Sequence, residues 1–165
     1  MSEINVENLA IDATGVGKSF DSRLVLRNLD VQVEAGQVLT IFGTNGSGKT
    51  TLVRILAGLT HPDDGSIFIN GFDIKANAKI ARLSTGVVPH LPILYNDLTV
   101  RENLIFHARM FRVDVAPERV EQVASRLEID HRLDHKIRDL SHGLQKRFSL
   151  ARALLHRPKL LLMDE

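Results

Sequence analysis

At 165 residues, with 44% hydrophobic and 25% charged side chains, the chain is long enough for one packed domain and too short for two. A formal net charge of +1 gives no argument for nucleic acid or an anionic membrane surface, so any anion binding must be local. The absence of cysteine excludes disulfides, thiolate metal sites and cysteine catalysis, and no apolar run approaches the roughly twenty residues of a membrane helix. Met1 to Ala10 carries acids and no apolar signal core, so a cytosolic chain is expected.

In chain order, Gly15-Val16-Gly17-Lys18-Ser19 ends in Gly-Lys-Ser, but Asp12 stands where a phosphate loop needs its first glycine and no helical stripe follows. It is expected to be a strand end and turn. Leu24 to Val33 places Leu29, Val31 and Val33 on one face, the pattern of a half-buried strand, and Glu34-Ala35-Gly36 turns the chain. Val38-Leu39-Thr40-Ile41-Phe42 is a short apolar run expected to form a strand. It leads into Gly43-Thr44-Asn45-Gly46-Ser47-Gly48-Lys49-Thr50-Thr51, which fits the phosphate-binding loop. Glycine permits the tight turn that brings several backbone N–H groups to one point. Leu52, Ile55, Leu56 and Leu59 then mark a helix whose positive end faces the same point. There Lys49 would reach the β- and γ-phosphates and Thr50 would place its hydroxyl on Mg²⁺.

Gly58 and Pro62 stop that helix, Asp63-Asp64-Gly65 turns into a strand from Ser66 to Ile69, and Asn70-Gly71 marks another turn. A second parallel strand is expected at Thr85 to Val88. Thr99-Val100-Arg101-Glu102 is a capping box opening a helix to about Phe111, and Pro117 starts a second one with Val120, Val123 or Ala124, and Leu127 as its buried stripe. Ser141 is a good N-cap for a further helix over Phe148 to His156. Leu160-Leu161-Leu162-Met163 has the unbroken apolar character of a strand buried on both faces, ending in Asp164 and Glu165. Carboxylates at such a strand end lie where ligands bind in open α/β sheets.

Three motifs in this order, Gly43 to Thr51, Leu140-Ser141-His142-Gly143-Leu144, and Leu160 to Asp164 with Glu165, resemble those of the ATP-binding subunit of an ATP-binding-cassette (ABC) transporter. The fold expected is an α/β P-loop NTPase of RecA-like type: a parallel-sheet core, an N-terminal antiparallel β-subdomain and a helical insert. Residues 1–165 then form one incomplete nucleotide-binding domain. Residues 1–90 carry the β-subdomain and phosphate-loop core, 91–155 the insert with the signature motif, and 156–165 the magnesium-binding strand.

The resemblance implies ATP and Mg²⁺ as ligands. It also implies a head-to-tail dimer in which ATP lies between the phosphate loop of one copy and Ser141 and Gly143 of the other. Asp164 would hold the magnesium shell, in part through water, and Glu165 would act as base or polariser for the attacking water. Phe20 takes the adenine-stacking place with Val25 nearby. His90 stands where the family usually has glutamine, so a catalytic and a plain surface role both remain open for it, and His142 and Leu144 replace the signature's usual glycine and glutamine.

Gly86-Val87-Val88-Pro89-His90, Leu94 to Thr99, Glu102-Asn103-Leu104 and Phe106 to Phe111 further resemble the cassette subunit of the bacterial haem exporter of cytochrome c maturation, with drug- and polysaccharide-type exporters as the nearest rivals. Transmembrane subunits and a place on the cytoplasmic face of the inner membrane are implied, and nucleic acid is not. No Asn-Lys-x-Asp guanine motif occurs, and nothing in a nucleotide kinase calls for Ser141-His142-Gly143. Because the family continues beyond the strand ending at Asp164, a fragment is expected, binding Mg-ATP weakly and hydrolysing it poorly. A nucleotide-binding module without turnover is the alternative.

Overall fold

The computed structural model describes residues 8–111 and 116–164, which fall into two compact units. The first comprises residues 8–85 with Asp164, the second residues 86–163.

In the first unit β1 (Leu9–Phe20) and β2 (Arg23–Glu34) form a long antiparallel hairpin, closed by Asp21 at φ 51°. β3 (Asp64–Ile69) joins the other edge of β1, and the short β4 (Phe72–Asp73) follows through Asn70-Gly71, both at positive φ, giving the order β2-β1-β3-β4. The β1–β3 register pairs Ile11 with Ile69 and Ala13 with Ile67, which puts these apolar side chains together in the core with Val16 and Ile55. A methyl group on Gly65 would lie 2.5 Å from the Thr14 carbonyl oxygen, so the crossing of β3 over β1 requires glycine there. Helices α1 (Lys49–Leu56) and α2 (Ala78–Leu83) complete the unit.

One expectation holds here and two change. The Gly-Lys-Ser of residues 17–19 lies at the end of β1, just before the hairpin turn, and the ladder of β1 is bulged between Ala13 and Val16. The Gly15 N–H donates to Asp30 at 2.6 Å, and Lys18 is committed to Asp63 at 2.6 Å. Helix α1 ends at Leu56, and Gly58, at φ 65°, turns the chain away so that Leu59 is exposed instead of extending the stripe. The run Val38 to Phe42 forms no strand: among the described residues it has no ladder partner, and Val38 and Phe42 are 92% and 89% exposed. Extended apolar backbone becomes a strand only when neighbours take its N–H and C=O groups.

In the second unit β5 (Thr85–Val88) and β6 (Leu160–Met163) form a two-stranded parallel sheet. β6 is not buried on both faces. Only Leu162 is buried while Leu161 and Met163 are exposed, since β5 is its one neighbour among the described residues. The remainder is helical: α3 (Val100–Met110), α4 (Pro117–Arg126) and α5 (His142–Leu154), with short 3-10 turns at Asp130–Arg132 and Ile137–Asp139.

The sequence signals for these helices hold. Thr99 and Glu102 form the reciprocal capping box, with the Thr99 N–H donating to Glu102 at 2.7 Å and the Glu102 N–H to Thr99 Oγ1 at 3.1 Å. The Thr99 backbone N–H, followed by its hydroxyl, holds the Glu102 carboxyl below the usual range. Pro117 opens α4, whose Val120, Val123 and Ala124 meet Val100 and Leu104 of α3 and Phe148 and Ala151 of α5 in one core.

Candidate functional site

The glycine loop of the first unit faces solvent from Gly43 to Ser47, and its conformation depends on glycine at Gly46 (φ 79°) and Gly48 (φ 98°). Gly48 is the N-cap of α1. No side chain caps the helix and no acid lies in its first turn, so the amide donors there stand ready for an anion. Packing fixes the loop from below: a methyl group on Gly48 would lie 2.9 Å from Leu26 Cδ2 and 3.1 Å from the Val25 carbonyl oxygen. On Gly43 it would lie 2.6 Å from Ser47 Oγ. Strand β2 therefore seats the loop through Val25.

Lys49 folds back over this loop, its Nζ donating to the carbonyl oxygens of Gly43 at 2.9 Å and Thr44 at 3.0 Å. The Thr50 hydroxyl donates to Asp164 Oδ1 at 2.9 Å. Residues distant in sequence thus bring a cation, an uncapped helix start and two oxygen donors to one loop. Hydroxyl and carboxylate oxygens are the donor chemistry that Mg²⁺ takes, usually with water and phosphate completing its shell. No group of three or more His, Cys, Asp or Glu suited to a metal is found among the described residues, so a cation here would draw on water and phosphate as well. The residues fit ATP and Mg²⁺.

Other expected site residues are placed as follows. Phe20, at the tip of the β1–β2 hairpin, is 48% exposed, with Lys18 Nζ 5.3 Å from its ring centre. Asn45 is exposed and Thr51 half-buried in the first turn of α1. In the second unit Ser141 is the N-cap of α5, its Oγ accepting from the Leu144 N–H at 3.4 Å. A methyl group on Gly143 would meet nothing within 4 Å, so no packing inside the chain requires glycine there. His90 is an exposed residue just after β5. Glu165 lies outside the described residues.

Sequence reasoning missed Arg23, one of whose guanidinium nitrogens would lie 3.9 Å from a methyl group on Gly46. It also missed Asp63, which accepts from Lys18 and from the Ser19 N–H at 2.7 Å and so braces the hairpin near Phe20. Neither belongs to a motif; only the fold brings Arg23 near the loop and Asp63 to the end of β1.

A glycine loop capping a helix, a lysine folded over it and a threonine–aspartate pair beside it define a nucleotide-binding domain of the P-loop class. The ABC transporter family profile matches residues 26–165, and the chain belongs to that family. It is 37% identical over 164 residues to the Nod factor export ATP-binding protein I of Rhizobium meliloti, covering 97% of this chain and 48% of that protein. Its counterpart in Burkholderia thailandensis is 40% identical over 157 residues, covering 94% of this chain and 52% of the other. The chain therefore spans about half the length of the curated relatives it matches.

Among solved structures, a bacterial Atm1-family ABC exporter with ATP bound superposes with a TM-score of 0.85 at 28% identity, covering 98% of this chain and 30% of the exporter chain. The cbiO1 part of the Clostridium perfringens cbiONQ ABC transporter complex superposes with a TM-score of 0.80 at 26% identity, over 96% of this chain and 66% of the other. These likenesses bear out the α/β ABC ATPase fold.

Proposed function

We propose that the chain is the catalytic front of the ATP-binding subunit of an ABC exporter, which binds and hydrolyses Mg-ATP to energise transport through separate membrane subunits. The observation that carries this is the Thr50–Asp164 hydrogen bond beside the uncapped start of α1. It gathers a hydroxyl and a carboxylate at a helix start whose amide donors no side chain caps.

The loop amides from Gly46 to Thr50 would bind the phosphates, and Lys49, exchanging two carbonyl partners for phosphate oxygens, would neutralise charge there. Thr50 and Asp164 would hold Mg²⁺, which when bound supplies positive charge to the β- and γ-oxygens. Phe20, with Val25 beneath the loop, would offer a face for the adenine. Glu165, next in sequence to Asp164, would take the proton of the attacking water or polarise it, and His90 would orient that water. Ser141 and Gly143, at the open N-terminus of α5, would contact the nucleotide held by a second copy, and the open space at Gly143 suits a close approach. That arrangement is a head-to-tail dimer working on the cytoplasmic face of the membrane. Among the described residues no helix is long and apolar enough to cross a membrane.

The names of the relatives favour export as the direction. Those reported above carry the words Nod factor export, so they lend support to an exporter other than the haem exporter, and haem is not the cargo proposed.

The test is Glu165→Gln in a complex assembled with its membrane partner. Binding of ATP is expected to persist while turnover falls about a hundredfold or more, the scale of losing a catalytic base. Turnover equal to that of the unaltered complex would refute the assignment.

A further inference from the structure

The second unit holds a buried cation that the proposed reaction does not use. Arg152, on the last turns of α5, is 8% exposed, and no carboxylate pairs with it among the described residues. Burial lowers its pKa. A guanidinium taken out of water without a counter-ion is costly, so what it touches matters. One terminal nitrogen donates to the Ile93 carbonyl, while Nε, also buried, has no hydrogen-bond partner among the described residues.

Ile93 belongs to the loop of residues 89–98, which also carries His90. Its backbone is held from beneath while its apolar side chains face out: Leu91, Ile93 and Tyr95 are exposed and Leu94 packs onto the helical core. Buried Asn103 of α3 holds the later half, accepting from the Tyr95 N–H at 2.8 Å and donating to the carbonyls of Tyr95 at 3.0 Å and Thr99 at 2.9 Å. Arg152 holds the earlier half, nearer His90. The helix that carries Arg152 begins at Ser141, and at about 1.5 Å of rise per residue its two ends move as one rigid element.

We propose that Arg152 is the positioning residue that ties the signature helix α5, capped by Ser141, to the loop of residues 89–98. A displacement of α5 when nucleotide engages Ser141 pulls the Ile93 carbonyl with it. The loop then carries His90 and its exposed apolar side chains along. The nucleotide-driven part of this tie rests on the function proposed above; the tie itself does not.

Tyr95 makes the test direct. It is the chain's one tyrosine and there is no tryptophan, so intrinsic fluorescence reports this loop alone. Acrylamide quenching of Tyr95 is measured for the unaltered chain, Arg152→Met and Arg152→Lys, with helical circular dichroism followed in parallel. Without nucleotide, Arg152→Met is expected to raise the quenching constant about twofold, as loss of a local restraint should, with circular dichroism unchanged. Arg152→Lys, which keeps a donor for the carbonyl, should restore most of the difference. Mg-ATP should then shift the Tyr95 signal of the unaltered chain, and the shift should vanish in Arg152→Met while calorimetric ATP affinity changes by less than about threefold. Unchanged quenching in Arg152→Met would overturn the proposal, and so would loss of helical circular dichroism, which would make Arg152 a plain core residue. A chain that binds no Mg-ATP would refute the proposed function and the nucleotide-driven half, while quenching still decides the tie.

Discussion

The Thr50 hydroxyl donates to an Asp164 carboxylate oxygen at 2.9 Å, bridging 114 positions of sequence. The bond joins the first turn of the phosphate-loop helix to the residue that ends the last described stretch of chain. Being solvent-exposed, it contributes little to stability, about 0.5–1.5 kcal/mol at most. Under the proposed function its value is in bringing together two oxygens that would hold Mg²⁺. Asp164→Asn and Thr50→Val are therefore expected to leave the melting temperature within a few degrees of the unaltered chain and to weaken Mg²⁺-dependent ATP binding about tenfold or more. Calorimetric titration with ATP, in magnesium and in excess chelator, checks this. Affinity that stays the same with magnesium present would count against the assignment.

Two glycines separate fold from function. A methyl group on Gly86 would lie 2.6 Å from the Ala153 carbonyl oxygen and 2.9 Å from Pro158 Cγ, whereas one on Gly143 would meet nothing within 4 Å. Gly86→Ala should destabilise the chain by about 1–3 kcal/mol, the usual result of overpacking. Gly143→Ala should leave stability nearly unchanged and lower ATP turnover of the assembled dimer. Thermal melts and turnover assays on the pair form the check; equal melting temperatures would show that the strand β5 gives way more easily than its packing implies.

Acid should weaken the fold through His107. Its ring lies tilted against Phe111, with the centroids 4.7 Å apart, and burial, then the charges of Arg152 and His156, push its pKa down to about 4 from the ordinary 6.5. The unfolded chain takes up a proton near 6.5 while the folded chain resists until about 4, so this contribution is full above 6.5 and declines as the pH falls towards 4. Melting temperatures measured across that window should fall more steeply for the unaltered chain than for His107→Leu. Parallel curves would remove His107 from the account.

The run Val38 to Phe42 has no backbone partner among the described residues and presents exposed apolar side chains, with no charge between Gln37 and Gly43. Such a segment is a template for pairing with another chain. Sedimentation velocity should find concentration-dependent association of the 165-residue chain, reduced by Val38→Lys, which breaks the apolar run without touching the phosphate loop. Association unaffected by the substitution would place the contact elsewhere.

Local signals were the most legible. The Thr99–Glu102 box, Pro117 and Ser141 each mark a helix start by a side-chain reason contained within a few residues, and the structure has all three. Gly43 to Thr51 announced its loop because glycine, lysine and threonine at that spacing answer one chemical need. Val38 to Phe42 and the second face of β6 were misjudged because a strand is made by its neighbours, which an apolar run does not reveal. The two-residue β4 and the six-residue α2 were missed for want of length. Arg23, Asp63 and Arg152 were invisible because their roles come from contacts 20 or more residues away, such as Lys18 with Asp63 at a separation of 45 and Arg152 with Ile93 at 59.

The measurement that tests the central claim most directly is calorimetric titration of Mg-ATP into the purified chain and into Lys49→Ala. Among the described residues Lys49 bonds only two exposed loop carbonyls, so its removal should leave the fold intact. The account predicts saturable, magnesium-dependent binding by the unaltered chain and at least a tenfold loss in Lys49→Ala, the scale of losing a charge-assisted contact to phosphate. Equal affinity in both, or no binding by the folded unaltered chain, would contradict it.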